Sequence, residues 1–183
     1  MKSRWSLIAL VAAGIALLTA WPLEAQNSPP HTVQQVDLQR YAGLWYEQAR
    51  FPMFFQRNCA SNTTAQYSLR ADGKVDVVNS CERADGSRIQ SVGIARIKDK
   101  DPAKLEVRFA PDALSFLPFV WADYWIIDLD PDYRWAIVGS PNKKYLWILT
   151  RDRRIDWALK EQLIQKARRH GYNTSRIIET RQD

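Results

Sequence analysis

The strongest constraint in this sequence is a rhythm. Eight short stretches rich in β-forming residues follow one another at regular spacing, and each is separated from the next by a turn signal. They cover residues 44–51, 63–69, 75–80, 88–97, 104–109, 121–129, 133–139 and 145–150. Ala71-Asp72-Gly73-Lys74 is a strong hairpin signal, Arg83-Ala84-Asp85-Gly86-Ser87 a second turn, and Lys98-Asp99-Lys100-Asp101-Pro102 a charged third. Lys104-Leu105-Glu106-Val107-Arg108-Phe109 alternates polar and apolar residues, as a half-buried strand should. Such a pattern folds as an all-β sandwich or an up-and-down barrel. The outer segments bear on that choice. Gly43-Leu44-Trp45-Tyr46-Glu47 and Tyr145-Leu146-Trp147-Ile148-Leu149-Thr150-Arg151 each carry a large aromatic, and the second ends in an arginine. If the two meet, the sheet closes on itself. A small closed barrel is a container, which points to holding cargo rather than to catalysis.

One helix is predicted after the strands. Ile155, Ala158, Leu159, Gln162, Leu163, Lys166 and Ala167 mark a stripe at helical spacing, with Asp156 as N-cap and Gly171 as the residue beyond the C-terminus. Residues 176–180 add a last short strand. At 183 residues with eight Trp, the chain is long enough for one well-filled domain and too aromatic to be disordered.

The first residues read as a separate unit. Lys2 and Arg4 precede an apolar run over 7–20 and a small-residue end at Ala25, the layout of a secretory signal peptide over 1–25. An uncleaved anchor is the competing reading, for which the run is slightly short. Residues 26–35, with Ser28-Pro29-Pro30, are expected to be a flexible leader, and 36–183 the folded domain. Removing 1–25 takes two cations and one anion from a net charge of +6, leaving +5. No cysteine lies near the cleavage zone, so the expected location is periplasmic or secreted, at most peripheral to the outer membrane, without a lipidated N-terminal cysteine. Cys59 and Cys81 are the only cysteines; in an oxidising compartment an isolated pair reads as a disulfide.

Three motifs in order, Gly43-x-Trp45, Leu129-Asp130-Pro131-Asp132-Tyr133 and Arg151, resemble the signature regions of the lipocalins. The longer strings Trp45-Tyr46-Glu47-Gln48-Ala49-Arg50-Phe51-Pro52 and Tyr145–Arg151 are similar to the bacterial lipocalins of the outer-membrane type, themselves similar to apolipoprotein D. The resemblance spans about residues 36–180. It implies an eight-stranded antiparallel barrel with a C-terminal helix against its side and a small apolar ligand inside. It also implies that Trp45 plugs a closed end, that Arg151 packs across it, and that Gly43, Asp130 and Tyr133 belong to that floor. Trp121 matches an aromatic pocket position in the bacterial relatives.

Strand counting assigns the loops to ends. If Trp45 marks the closed end, residues 51–61, 82–87, 110–120 and 140–144 form the open end. Two of these loops are unusually apolar, through Phe54 and Phe55 in one and Phe116 and Phe119 in the other. They fold inward as a lid, bury in a homodimer interface, or form a portal that touches a membrane. Arg50, Arg57, Arg83, Arg88, Lys143 and Lys144 lie near the same rim, which suits a fatty acid or lysophospholipid with an acidic head. Alternation puts Glu47 and Ala49 inside with Trp45, and Tyr145 and Trp147 inside with Arg151. The ligand-lining candidates are therefore Phe54, Phe55, Phe116, Phe119, Trp121, Tyr145 and Trp147. No catalytic motif, metal-ligand spacing or phosphate loop is present, so no enzyme activity, cofactor, metal or nucleic-acid partner is expected. The competing reading is a protein-interaction or inhibitor module acting through the apolar loops, as monomer or homodimer.

Overall fold

The computed structural model describes residues 28–183. The expected signal segment lies outside the described residues. Strands β1 (Gly43–Arg50), β2 (Ser61–Leu69), β3 (Val75–Glu82), β4 (Arg88–Lys98), β5 (Asp101–Arg108), β6 (Ala122–Leu129), β7 (Trp135–Gly139) and β8 (Leu146–Thr150) each pair antiparallel with the next. β1 pairs with both β8 and β2, which closes the sheet into a barrel. Helices α1 (Leu38–Tyr41) and α2 (Trp157–Arg169) flank it, and β9 (Ile178–Glu179) adds to β1. β5 starts three residues before its predicted start. Asp99 and Lys100 both take positive φ, so the turn needs only these two residues, and Lys98 pairs directly with Asp101.

The closed end is organised around Arg151. Its guanidinium carbon lies 3.8 Å from the centre of the Trp45 ring. Its nitrogens donate to the carbonyls of Arg40, Tyr41, Ala42 and Leu44 at 2.8–3.1 Å and to that of Tyr133 at 3.3 Å. Gly43 sits at φ +100°, and a β-carbon there would come within 3.2 Å of Arg151 Nη1, so this position needs glycine twice over. Asp130 folds the β6–β7 turn by accepting from the amides of Asp132 and Arg134 and from the Arg134 side chain. That turn presents the Tyr133 hydroxyl to the Asp37 amide at 2.8 Å and the Tyr133 ring to the Arg40 guanidinium at 4.1 Å. The three motifs therefore converge on α1, a single turn capped by Asp37 that lies across the barrel floor.

The segment expected to be a flexible leader is docked from residue 30 onward. Pro30 is buried, the Val33 amide bonds to the Ile126 carbonyl, and Val33 and Val36 pack on the interior cluster. Apolar side chains at these positions outweigh the loop-like Ser-Pro-Pro before them.

The seam between β1 and β2 is only half zipped. Their ladder stops at Tyr46 and Thr64. Above that point the chain's last residues fill the gap. The Thr180 amide bonds to the Gln48 carbonyl, the Asn62 amide to the Arg181 carbonyl, and the Gln182 side chain to the carbonyls of Glu47 and Thr63 at 2.8 Å each.

Helix α2 packs on the outer face of the barrel. Leu163 and Ala167 are fully buried against Ala49 and Ile148 and against Phe51 and Tyr172. Asp156 caps its start by accepting from the Leu159 amide, and Gly171, at φ +84°, follows its last turn. Cys59 and Cys81 form a disulfide that ties the β1–β2 loop to the end of β3.

Two outcomes follow. Replacing Arg151→Met strands the carbonyls of α1 and is expected to cost about 2–4 kcal/mol in denaturant unfolding. Replacing Cys59→Ser together with Cys81→Ser is expected to cost about 3 kcal/mol from loop closure alone, and adding a reductant to the parent protein should reproduce that loss.

Candidate functional site

A cavity of about 530 Å³ occupies the barrel from the floor at Tyr41 to the open rim at Phe54 and Phe55. Its walls are mainly apolar, with Ala65, Val75, Val77, Ala95, Leu105, Val107 and Leu149 facing inward from five strands. Period-2 alternation sets this lining, as it does in any barrel that keeps space for one small ligand.

β8 follows the expected parity, and Tyr145, Trp147 and Leu149 all line the cavity. β1 does not. Glu47 faces inward, but the register with β8 shifts between Glu47 and Ala49, and this bulge reverses the alternation. Ala49 therefore points outward, against Leu163 of α2. Arg50 does not line the cavity and instead pairs with Glu47 at 3.3 Å.

Trp121 requires a correction. It does not line the cavity. Tyr124 faces inward, so Ala122 shares its side and Trp121 is turned to the outer surface. There its ring lies 3.9 Å from the Arg96 guanidinium and 5.2 Å from that of Arg108, and its indole donates to the Ser115 carbonyl. Phe116 and Phe119 also lie outside the lining. They stand out from the β5–β6 loop with 76 % and 80 % of their surface exposed. Phe54 and Phe55 belong to both places, since they line the mouth and are exposed. Phe51 and Met53, in the same apolar loop, are buried.

The charges inside are not the expected ones. None of Arg50, Arg57, Arg83, Arg88, Lys143 and Lys144 lines the cavity, and its charged lining residues are Glu47 and Asp123. Glu47 is 2 % exposed. Its carboxylate accepts from Gln56 Nε2 at 2.9 Å and Thr180 Oγ1 at 2.5 Å besides Arg50. Gln56 in turn accepts from the Trp147 indole at 3.0 Å. The rim loop is thus fastened to the interior through one amide side chain. Lower down, the hydroxyls of Tyr41 and Tyr67 each meet that of Tyr124, at 2.8 and 2.9 Å. Alternation on β2 and β6 could have revealed Tyr67 and Tyr124. Tyr41 lies on α1, and Thr180 in the tail, where no strand pattern points inward.

Burial is the largest influence on Glu47 and raises its pKa above the usual carboxylate value of 4.5; its three partners offset this in part. A carboxyl whose folded pKa is raised binds its proton more readily folded than unfolded. Stability at this site therefore rises as pH falls through the raised folded value, and levels off below the unfolded one. Denaturant unfolding at a series of pH values should show the parent protein gaining stability relative to Glu47→Gln across that window on acidification. A difference that shrinks instead refutes this assignment.

Residues 36–182 match the lipocalin-like domain family. The temperature-induced lipocalin-1 of Arabidopsis thaliana is 39 % identical over 153 residues, spanning 82 % of this chain and 81 % of that protein. The outer membrane lipoprotein Blc of Escherichia coli is 38 % identical over 176 residues, spanning 94 % of this chain and 95 % of that one. The crystal structure of the cockroach allergen Per a 4 has the same fold, with a TM-score of 0.63 at 16 % identity over 86 % of this chain and 96 % of the allergen. With its closed barrel, floor motif and side helix, the chain belongs to the lipocalin family and resembles its bacterial outer-membrane type.

Proposed function

We propose that this lipocalin binds and stores or transports a single-chain lipid, a fatty acid or lysophospholipid, in the upkeep of a membrane. The observation that carries the reading is the apolar cavity of about 530 Å³ opening at a rim of exposed phenylalanines. Affinity in this reading comes from burying the acyl chain, at roughly 0.8 kcal/mol per methylene. The basic residues of the rim do not line the cavity. Arg50 is buried against Glu47; the others contribute weak, salt-dependent attraction, about 0–1 kcal/mol each, and guide an acidic head rather than hold it. Phe54, Phe116 and Phe119, on two facing loops, make the contact with the membrane. The protein acts in the periplasm or outside the cell.

Mass spectrometry of ligand extracted from the protein purified from its own host tests this directly. A single-chain lipid is expected, and a protein recovered empty with no affinity for fatty acids or lysolipids overturns the reading. Ala95 faces the cavity among Val75, Val77 and Leu105, so Ala95→Phe should reduce lipid affinity at least tenfold while costing about 1–3 kcal/mol of stability. Phe116→Ser with Phe119→Ser should slow lipid uptake from vesicles and leave affinity for monomeric lipid unchanged; unchanged uptake removes the membrane portal. The same exposed rings also favour a second reading, a protein-interaction or inhibitor module. Native mass spectrometry showing a stoichiometric protein partner in place of lipid would select it.

A further inference from the structure

The tyrosines at the base of the cavity carry a hydrogen-bond surplus. Tyr41 and Tyr67 are buried, Tyr124 is half-buried, and all three line the cavity. Among the described residues their hydroxyls bond only to one another, Tyr41 to Tyr124 at 2.8 Å and Tyr124 to Tyr67 at 2.9 Å. Three hydroxyls bring three protons, and two bonds consume two. Whichever way the chain of bonds runs, one O–H is left without a protein acceptor. A buried donor without a partner is costly, so a molecule that supplies an acceptor here is favoured over one that does not.

The surroundings define that acceptor. The nearby wall is apolar, formed by Ala65, Leu105 and Leu149. Among the described residues no lysine or arginine lines the cavity, and Glu47 adds a carboxyl above. Burial pushes the Tyr67 hydroxyl up to about 12 and those of Tyr41 and Tyr124 well above their ordinary value, so the cluster stays neutral and its setting disfavours anions. An anionic head brought to this depth would lose its hydration, and the cation beneath the floor, Arg151, has its donors taken by backbone carbonyls and offsets the burial at Tyr41 and Tyr67 only in part.

We propose that the Tyr41–Tyr124–Tyr67 cluster is a binding site for a neutral oxygen, a hydroxyl or carbonyl, at the end of the ligand that reaches the barrel floor. The ligand class is then a fatty alcohol or an acyl chain oxygenated near its buried end. This rests on the carrier reading above and adds the polar group that the interior selects.

Matched probes test it. Affinities for dodecane and dodecanol are compared in the parent protein and in Tyr41→Phe/Tyr67→Phe/Tyr124→Phe. The ratio of the two should shift by about tenfold towards the alkane in the variant, equivalent to about 1.4 kcal/mol. An unshifted ratio overturns the proposal, and is also the result expected if water alone satisfies the hydroxyl. Should the triple variant fail to fold, infrared spectra of a carbonyl-labelled methyl ketone bound to the parent protein give the answer. A stretch lowered from its position in alkane solvent shows the hydrogen bond, and an unlowered one overturns the site. If no apolar probe binds the parent protein, the carrier reading fails and this site with it. If both probes bind and the variant discriminates as the parent does, only the site fails.

Discussion

One cation holds the bottom of this molecule together. Arg151 arrives at the end of the last barrel strand, lies flat on the Trp45 ring of the first, and gathers the backbone carbonyls of the segment between helix and strand. A guanidinium suits this task because its planar fork stacks on an indole while its edge still donates in several directions. Lysine offers neither geometry. The contact joins residues more than a hundred positions apart, so it records that the sheet has closed and that the floor is in place. The container above it depends on both.

Above that floor, the interior is arranged by small departures from regular alternation. The bulge after Glu47 turns Ala49 outward, where its small side chain lets α2 approach, and leaves Glu47 as the last residue of that strand to line the cavity. The buried carboxyl then serves as an anchor. Gln56 reaches it from the rim loop and Thr180 from the tail. The cavity is polar at this anchor, again at Asn79, Ser80, Gln90 and Ser91 on β3 and β4, and at the tyrosines lower down. Between the anchor and the tyrosines lies the apolar sleeve that accepts a chain.

The strands and the floor were legible in the sequence because they rest on local patterns. Alternation, the Asp-Gly turn and the Trp45 and Arg151 motifs each announce themselves within a few residues. What escaped reading depends on distant partners. Trp121 looked like a pocket residue, but its side of the strand is set by where β6 begins to pair, and its ring lies against the guanidinium groups of Arg96 and the buried Arg108. The three tyrosines lie at 41, 67 and 124, and only the folded barrel brings their hydroxyls together. The basic rim was visible as composition. That its charges stay out of the cavity was not, since the Arg50 pairing with Glu47 follows from the bulge. The packing of Val33 and Val36 was hidden behind a proline-rich start.

The half-zipped seam between β1 and β2 has a consequence for how the molecule is made. Its upper wall is supplied by residues 180–183, more than a hundred positions beyond the strands they join. That side of the barrel therefore stays unfinished until residues 180–183 have docked on the first two strands. Contacts so far apart in sequence make folding slow and leave apolar faces uncovered meanwhile. The wall seals only when residues 180–183 reach the gap between β1 and β2.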